Sequence, residues 1–140
     1  MSLRFSESIE TLALGQALLV APALGETYAG KTAQTVAALL VMLAADARTL
    51  PDRRLRTCAR LTDLFRDAEV HDISLARDLD ALIDTPQTPL ADRHERMLAG
   101  FTLLHAWADG HDAALARRCR EVLAEWAEAE RLLPPTHPEG

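Results

Sequence analysis

The sequence predicts an all-α fold: a single-domain bundle of five or six mostly antiparallel helices with a central apolar helix. Three observations carry this. Apolar residues make up 49% of the chain but aromatics only 4%, so Ala, Leu and Val must fill the core, and Ala and Leu are strong helix formers. Two stretches, Thr11–Gly25 and Thr32–Ala45, carry no ionisable side chain. Leu and Val surface left in water costs roughly 25 cal/mol per Å², so the opening third reads as a buried helical hairpin wrapped by the charged remainder. Near the C-terminus, two segments repeat apolar residues in steps of four and three, the seam of helices packed at a shallow angle. No run rich in β-branched residues, no internal repeat and no second domain stands out.

Ser6 reads as the N-cap of the first helix, with Glu7 and Glu10 near its first turn. That helix runs to about Val20, where Pro22 and Gly25 stop it. A second, apolar almost all round, runs from Tyr28 or Lys31 to about Arg48 and takes the central place. Pro51 opens a third, to about Ala68, with Leu55, Cys58, Leu61 and Phe65 on one face. Asp72 caps a short fourth helix whose stripe is Leu75, Leu79 and Leu82. Thr85 to Pro89 is a loop, ending with Thr88 as N-cap and Pro89 at the first helical position. The fifth helix carries Leu90, His94, Met97, Phe101, Leu104 and Ala108 on its seam. The sixth carries Leu115, Cys119, Val122, Trp126, Ala129 and Leu133. Gly110 is the expected stop between them and Asp112 the next cap, a turn short enough to make the two helices antiparallel neighbours. The bundle thus covers residues 1–133, and the Pro-rich 134–140 is a tail.

The chain has 140 residues and a formal net charge of −6, enough for one core and too apolar for a disordered chain. Leu12–Leu24 imitates a signal peptide, but Arg4 is outweighed by Glu7 and Glu10, so the positive leading segment is missing. No uncharged run reaches the roughly 18–20 residues of a membrane span. Cys58 and Cys119 form no CxxC pair and read as buried, reduced thiols. The expectation is a soluble, cytoplasmic protein with no cofactor and no membrane partner.

Three constellations could carry chemistry. Gly25-Glu26-Thr27-Tyr28-Ala29-Gly30-Lys31-Thr32 fits G-x-x-x-x-G-K-[ST], in which backbone N–H groups and the Lys hold phosphates and the hydroxyl holds Mg²⁺. Over these eight residues the chain resembles P-loop NTPases, which would make Gly25, Gly30, Lys31 and Thr32 nucleotide-binding. That fold needs a parallel sheet, and no further strands are visible, so a Gly-punctuated turn between helices is the competing reading. His94 and His105 lie eleven residues apart, about three helical turns, on roughly one side. Asp109, one turn beyond His105, completes a possible ligand or metal set, against a reading as hydrogen-bonded residues at the core edge. Arg53, Arg56 and Arg60 line one face of the third helix and could grip phosphates. The whole chain is acidic and no aromatics interleave with them, so a solvated face making intramolecular ion pairs is expected and nucleic acid is not.

No motif settles an activity. The leading expectation is a non-catalytic interaction or regulatory module that self-associates, as a homodimer or with a protein partner, because two nearly chargeless helices need more cover than one small bundle supplies. Gly15 and Ala17 would allow close approach there. The alternatives are a ligand- or metal-binding bundle, an enzyme included, built on His94, His105 and Asp109, and nucleotide binding at Gly25–Thr32.

Overall fold

The computed structural model describes residues 2–84 and 88–131. Every element among them is helical, so the all-α expectation is what the structure shows. The elements are α1 (Ser2–Gly15), a π-helical segment (Gln16–Val20), α2 (Ala21–Leu24), α3 (Tyr28–Asp67), α4 (Ile73–Ile83), α5 (Leu90–His111) and α6 (Ala113–Ala129). The described residues divide into two compact units, 2–51 and 52–131.

In the first unit, the helix starts before the expected cap. Ser6 lies inside α1, past its first turn, and is fully buried. The helix also passes Val20, because the π segment widens the turn: Ala21 N–H donates to the Gln16 carbonyl, five residues back. A π turn adds one residue and rotates the rest of the helix by about 100°. The buried positions show that rotation: Ser6 and Ala13 are seven apart, then Ala21 follows at eight. Pro22 does not end the helix. It sits directly after the π segment, in the first turn of α2. Gly25 does end it, at φ 59° and ψ −148°, a conformation essentially reserved for glycine. Thr27 then starts α3: its Oγ1 donates to the Leu24 carbonyl at 2.7 Å and accepts from Gly30 N–H at 3.1 Å.

The second and third expected helices are one helix of 40 residues. Pro51 lies inside it and lacks the N–H that would bond the Ala47 carbonyl, a cost of about 3 kcal/mol. A heptad offsets this. Gly30, Ala37, Ala44, Pro51, Cys58 and Phe65 repeat every seven residues, and Ala33, Leu40, Ala47, Arg54 and Leu61 form the companion series. All eleven are buried or half-buried, so a single unbroken stripe runs along the helix. Among the described residues α3 is also the helix that, by length and composition alone, could cross a membrane.

In unit 2–51 the arms run antiparallel, tied by the turn and by an ion pair from Arg48 to Glu10. The buried residues are small: Ser6, Ala13 and Ala21 on one arm, Ala33, Ala37 and Ala44 on the other. Gly30 has no room for a side chain, since a Cβ there would run into the Gly25 carbonyl oxygen. Gly30→Val should therefore destabilise the hairpin by about 1–3 kcal/mol, read as a lower thermal midpoint; Gly15→Val, where a Cβ meets nothing, should leave the midpoint unchanged or raise it slightly, because valine is the better helix former.

Unit 52–131 holds a core of Cys58, Leu61, Leu64 and Phe65 from α3, Leu79 from α4, Met97, Phe101, Leu104 and Ala108 from α5, and Leu115, Ala116, Cys119 and Val122 from α6. Asp72 caps α4 as expected, accepting from Leu75 N–H at 3.0 Å. Asp112 caps α6, accepting from Ala114 and Leu115 N–H at 3.0 Å. Two boundaries shift. Gly110 is not the stop, since α5 continues to His111. Pro89, not Thr88, is the N-cap of α5. The antiparallel α5–α6 pair stands as expected, with the seam residues His94, Met97, Phe101, Leu104 and Ala108 buried. Ala129 is exposed, while Leu133, the tail from Pro134 and Thr85 to Gln87 lie outside the described residues.

The larger correction concerns the opening third. It is a helical hairpin, but it is not enclosed. Among the described residues, twelve of the sixteen large hydrophobic side chains left exposed belong to residues 5–43.

Candidate functional site

The hairpin turns the usual arrangement inside out. Small side chains face inward, and Phe5, Leu12, Leu18, Leu19, Leu39 and Leu43 lie outside, with Leu19 73% exposed. Their spacing places them. At about 100° per residue, Val36, Leu39 and Leu43 lie roughly a quarter turn from the buried stripe of Ala33, Ala37 and Ala44. Phe5 and Leu12 stand off from Ser6 and Ala13 by a similar angle in the same sense. Because the arms are antiparallel, equal offsets of the same sense fall on the same side of the hairpin. The Glu10–Arg48 pair flanks the stripe on the opposite side. One side of this unit is thus a two-helix apolar face. Leu14 and Val41, also exposed, extend apolar surface around the other flank.

The P-loop-like segment is part of that turn. Gly30, Lys31 and Thr32 lie within α3, and Thr32 Oγ1 donates to the Tyr28 carbonyl at 3.0 Å. The segment before it is helical, where a phosphate loop follows a strand. Both glycines have structural reasons: Gly25 for its backbone angles, Gly30 for the close carbonyl.

The arginine face is dispersed. Arg53 is buried, with its Nη2 3.8 Å from Glu130. Arg60 forms a fork on Glu125 at 3.0 and 3.4 Å, which holds the Glu125 carboxyl below its ordinary range. Arg56 is exposed. Burial at Arg53 departs from the expected solvated, ion-paired face, whereas the exposed Arg60–Glu125 pair is of the kind expected.

His94 and His105 are separated rather than gathered. Eleven residues of α-helix put them about 16 Å apart along the axis. Among the described residues no group of three His, Cys, Asp or Glu side chains is placed to hold a metal. His94 is buried with its Nε2 enclosed and lacking a hydrogen-bond partner. Burial, then the nearby Arg54 charge, lowers its pKa from 6.5, while Glu130 and Glu95 pull the other way. The unfolded chain therefore takes up a proton that the folded one resists, so stability present above pH 6.5 is lost as pH falls. The denaturant midpoint should drop between about pH 7 and about pH 5, and His94→Gln should remove most of that drop.

His105 lies 3.7 Å from Asp109, and Asp109 is itself held by Arg120 at 3.3 Å. Both line a hollow of about 500 Å³ between α3, α5 and α6. Its walls are otherwise mostly apolar: buried Leu61, Phe101 and Val122, with Leu98, Leu123 and Trp126 nearer the surface. The His105 ring stacks on Phe101 at 5.9 Å. Trp126 Nε1 is enclosed without a hydrogen-bond partner. Trp126 was legible in the sequence only as a seam residue; its place here follows from α6 turning it toward Thr57 and Leu61 of α3. Burial raises the thiol pKa of both Cys58 and Cys119, which suits inert core positions. Compared with models of known families, with curated proteins and with solved structures, the chain matches none of them.

Proposed function

We propose that this chain is a non-catalytic, self-associating helical module, and that two copies pack the apolar faces of their hairpins together. The observation that carries this is the inverted hairpin: alanines in the seam, leucines outside. Apolar stripes a quarter turn apart are what a helix in a four-helix bundle carries, since it touches one neighbour on each side. The first neighbour is the other arm. The second is supplied by another hairpin. A stable interface buries roughly 800 Å² per partner, and exposed apolar side chains line both arms of the hairpin. A bilayer is the competing cover, since α3 is by length and composition able to cross one.

Subunit mixing tests this. Copies carrying Glu26→Cys at the exposed turn, labelled separately with donor and acceptor dyes, should show energy transfer when mixed at tens of micromolar. Buried Cys58 and Cys119 should stay unlabelled. Absence of transfer at that concentration would remove the reading.

A further inference from the structure

We propose that Gln16 meets Gln16 of a second copy across the two-fold axis of the hairpin dimer, and that this amide pair fixes the register in which the two apolar faces pack. The pairing rests on the self-association proposed above. The uncharged stretches of the hairpin hold Thr11, Gln16, Thr32, Gln34 and Thr35 as their polar side chains. Each threonine hydroxyl donates to the carbonyl one turn back: Thr11 to Glu7 at 3.0 Å, Thr32 to Tyr28 at 3.0 Å and Thr35 to Lys31 at 3.1 Å. Gln34 is exposed on the flank away from the apolar face. Gln16 is placed differently. Three residues past Ala13, it lies about 60° from the buried seam in the sense of Leu12, while Glu10, three residues before Ala13, lies as far the other way. It is half-buried beside the seam, and its amide makes no hydrogen bond to a described residue. Covering the apolar face takes this amide out of water, where it needs a partner. An amide both donates and accepts, so two copies related by a two-fold axis satisfy one another. Hydrocarbon offers neither group. Leucine faces alone can slide between registers of similar energy, and one polar side chain in the interface penalises all but the register that pairs it.

Exchanging charge at this position tests the pairing. Gln16→Glu and Gln16→Lys are each made in the Glu26→Cys chain, labelled with donor or acceptor dye, and association is read as energy transfer over a dilution series. Each variant alone sets like charges against one another and should associate at least about tenfold more weakly than the parent. An equal mixture of the two should recover association to within about fivefold of the parent. The same two substitutions at Gln34 should leave association unchanged, alone or mixed. Gln16→Leu keeps the size but removes the amide; it should still associate, with light-scattering masses above that of the dimer. Every variant should keep the helical circular dichroism of the parent, since the position is half-exposed in the single chain. Parent-like association of either charged variant alone would overturn the pairing. So would a weakening that mixing does not relieve, or the same loss and recovery at Gln34. A clean dimer in Gln16→Leu would overturn the register role. In each of these outcomes the parent still associates, so self-association stands; a parent without energy transfer overturns both.

Discussion

Replacing Leu39 and Leu43 together with glutamate should convert the proposed dimer to a monomer, with an affinity loss of about 1,000-fold or more. The size of the loss comes from the geometry. Both side chains are about half exposed in the single chain, at 54% and 48%, and both lie on the apolar face. Burying one such side chain contributes about 1.5–3 kcal/mol. In a two-fold assembly each substitution appears twice. The introduced carboxylates would also have to be desolvated, which costs more than the lost apolar contact. The fold of the single chain should survive, because neither position belongs to the buried seam. Light scattering should report a mass near 15.3 kDa for the variant with unchanged helical circular dichroism. Gln34→Glu, exposed on the opposite flank of the same helix, is the matched control and should stay dimeric.

Leu104→Ala should destabilise the chain by about 2–5 kcal/mol, and its neighbour Leu103→Ala by about 0.5 kcal/mol or less. The contrast is one residue wide. Leu104 is fully buried among the core side chains of unit 52–131, while Leu103 is 55% exposed. Truncating Leu104 removes its transfer free energy and leaves a void that close-packed neighbours fill only in part. For a chain of this size a loss of about 3 kcal/mol lowers the thermal midpoint by roughly 10 °C. Melting both variants by circular dichroism checks the pair. Equal shifts would mean that α5 is rotated from the orientation described.

The two C-terminal helices were legible because large residues recur every seven on a polar background. Met97, Phe101 and Leu104 could only face inward, and they do. Asp72 and Asp112 were legible for a similar reason: a short acceptor before an apolar run satisfies N–H groups that the helix leaves open. The hairpin obscured both signals. Where nearly every residue is apolar, hydrophobicity has no period, and only side-chain size does. Alanine at 33, 37 and 44 marked the inner seam, and leucine at 39 and 43 the outer face. Composition establishes that such surface must be covered; it does not say by which molecule. Pro51 misled because proline ordinarily starts or breaks a helix, whereas here the stripe from Ala44 through Pro51 to Cys58 carries the helix across it. The π turn at Gln16–Val20 has no composition of its own to announce it. At the hollow, His105 and Asp109 were legible as a pair one turn apart. Trp126 and Thr57 were not, because their meeting depends on how α6 lies on α3.

Sedimentation equilibrium of the intact chain over a dilution series tests the covering of the hairpin most directly. The account predicts a reversible two-species equilibrium ending at twice 15.3 kDa in the tens of micromolar. A single species of 15.3 kDa throughout that range would contradict it, and so would a chain that leaves solution only by partitioning onto lipid vesicles.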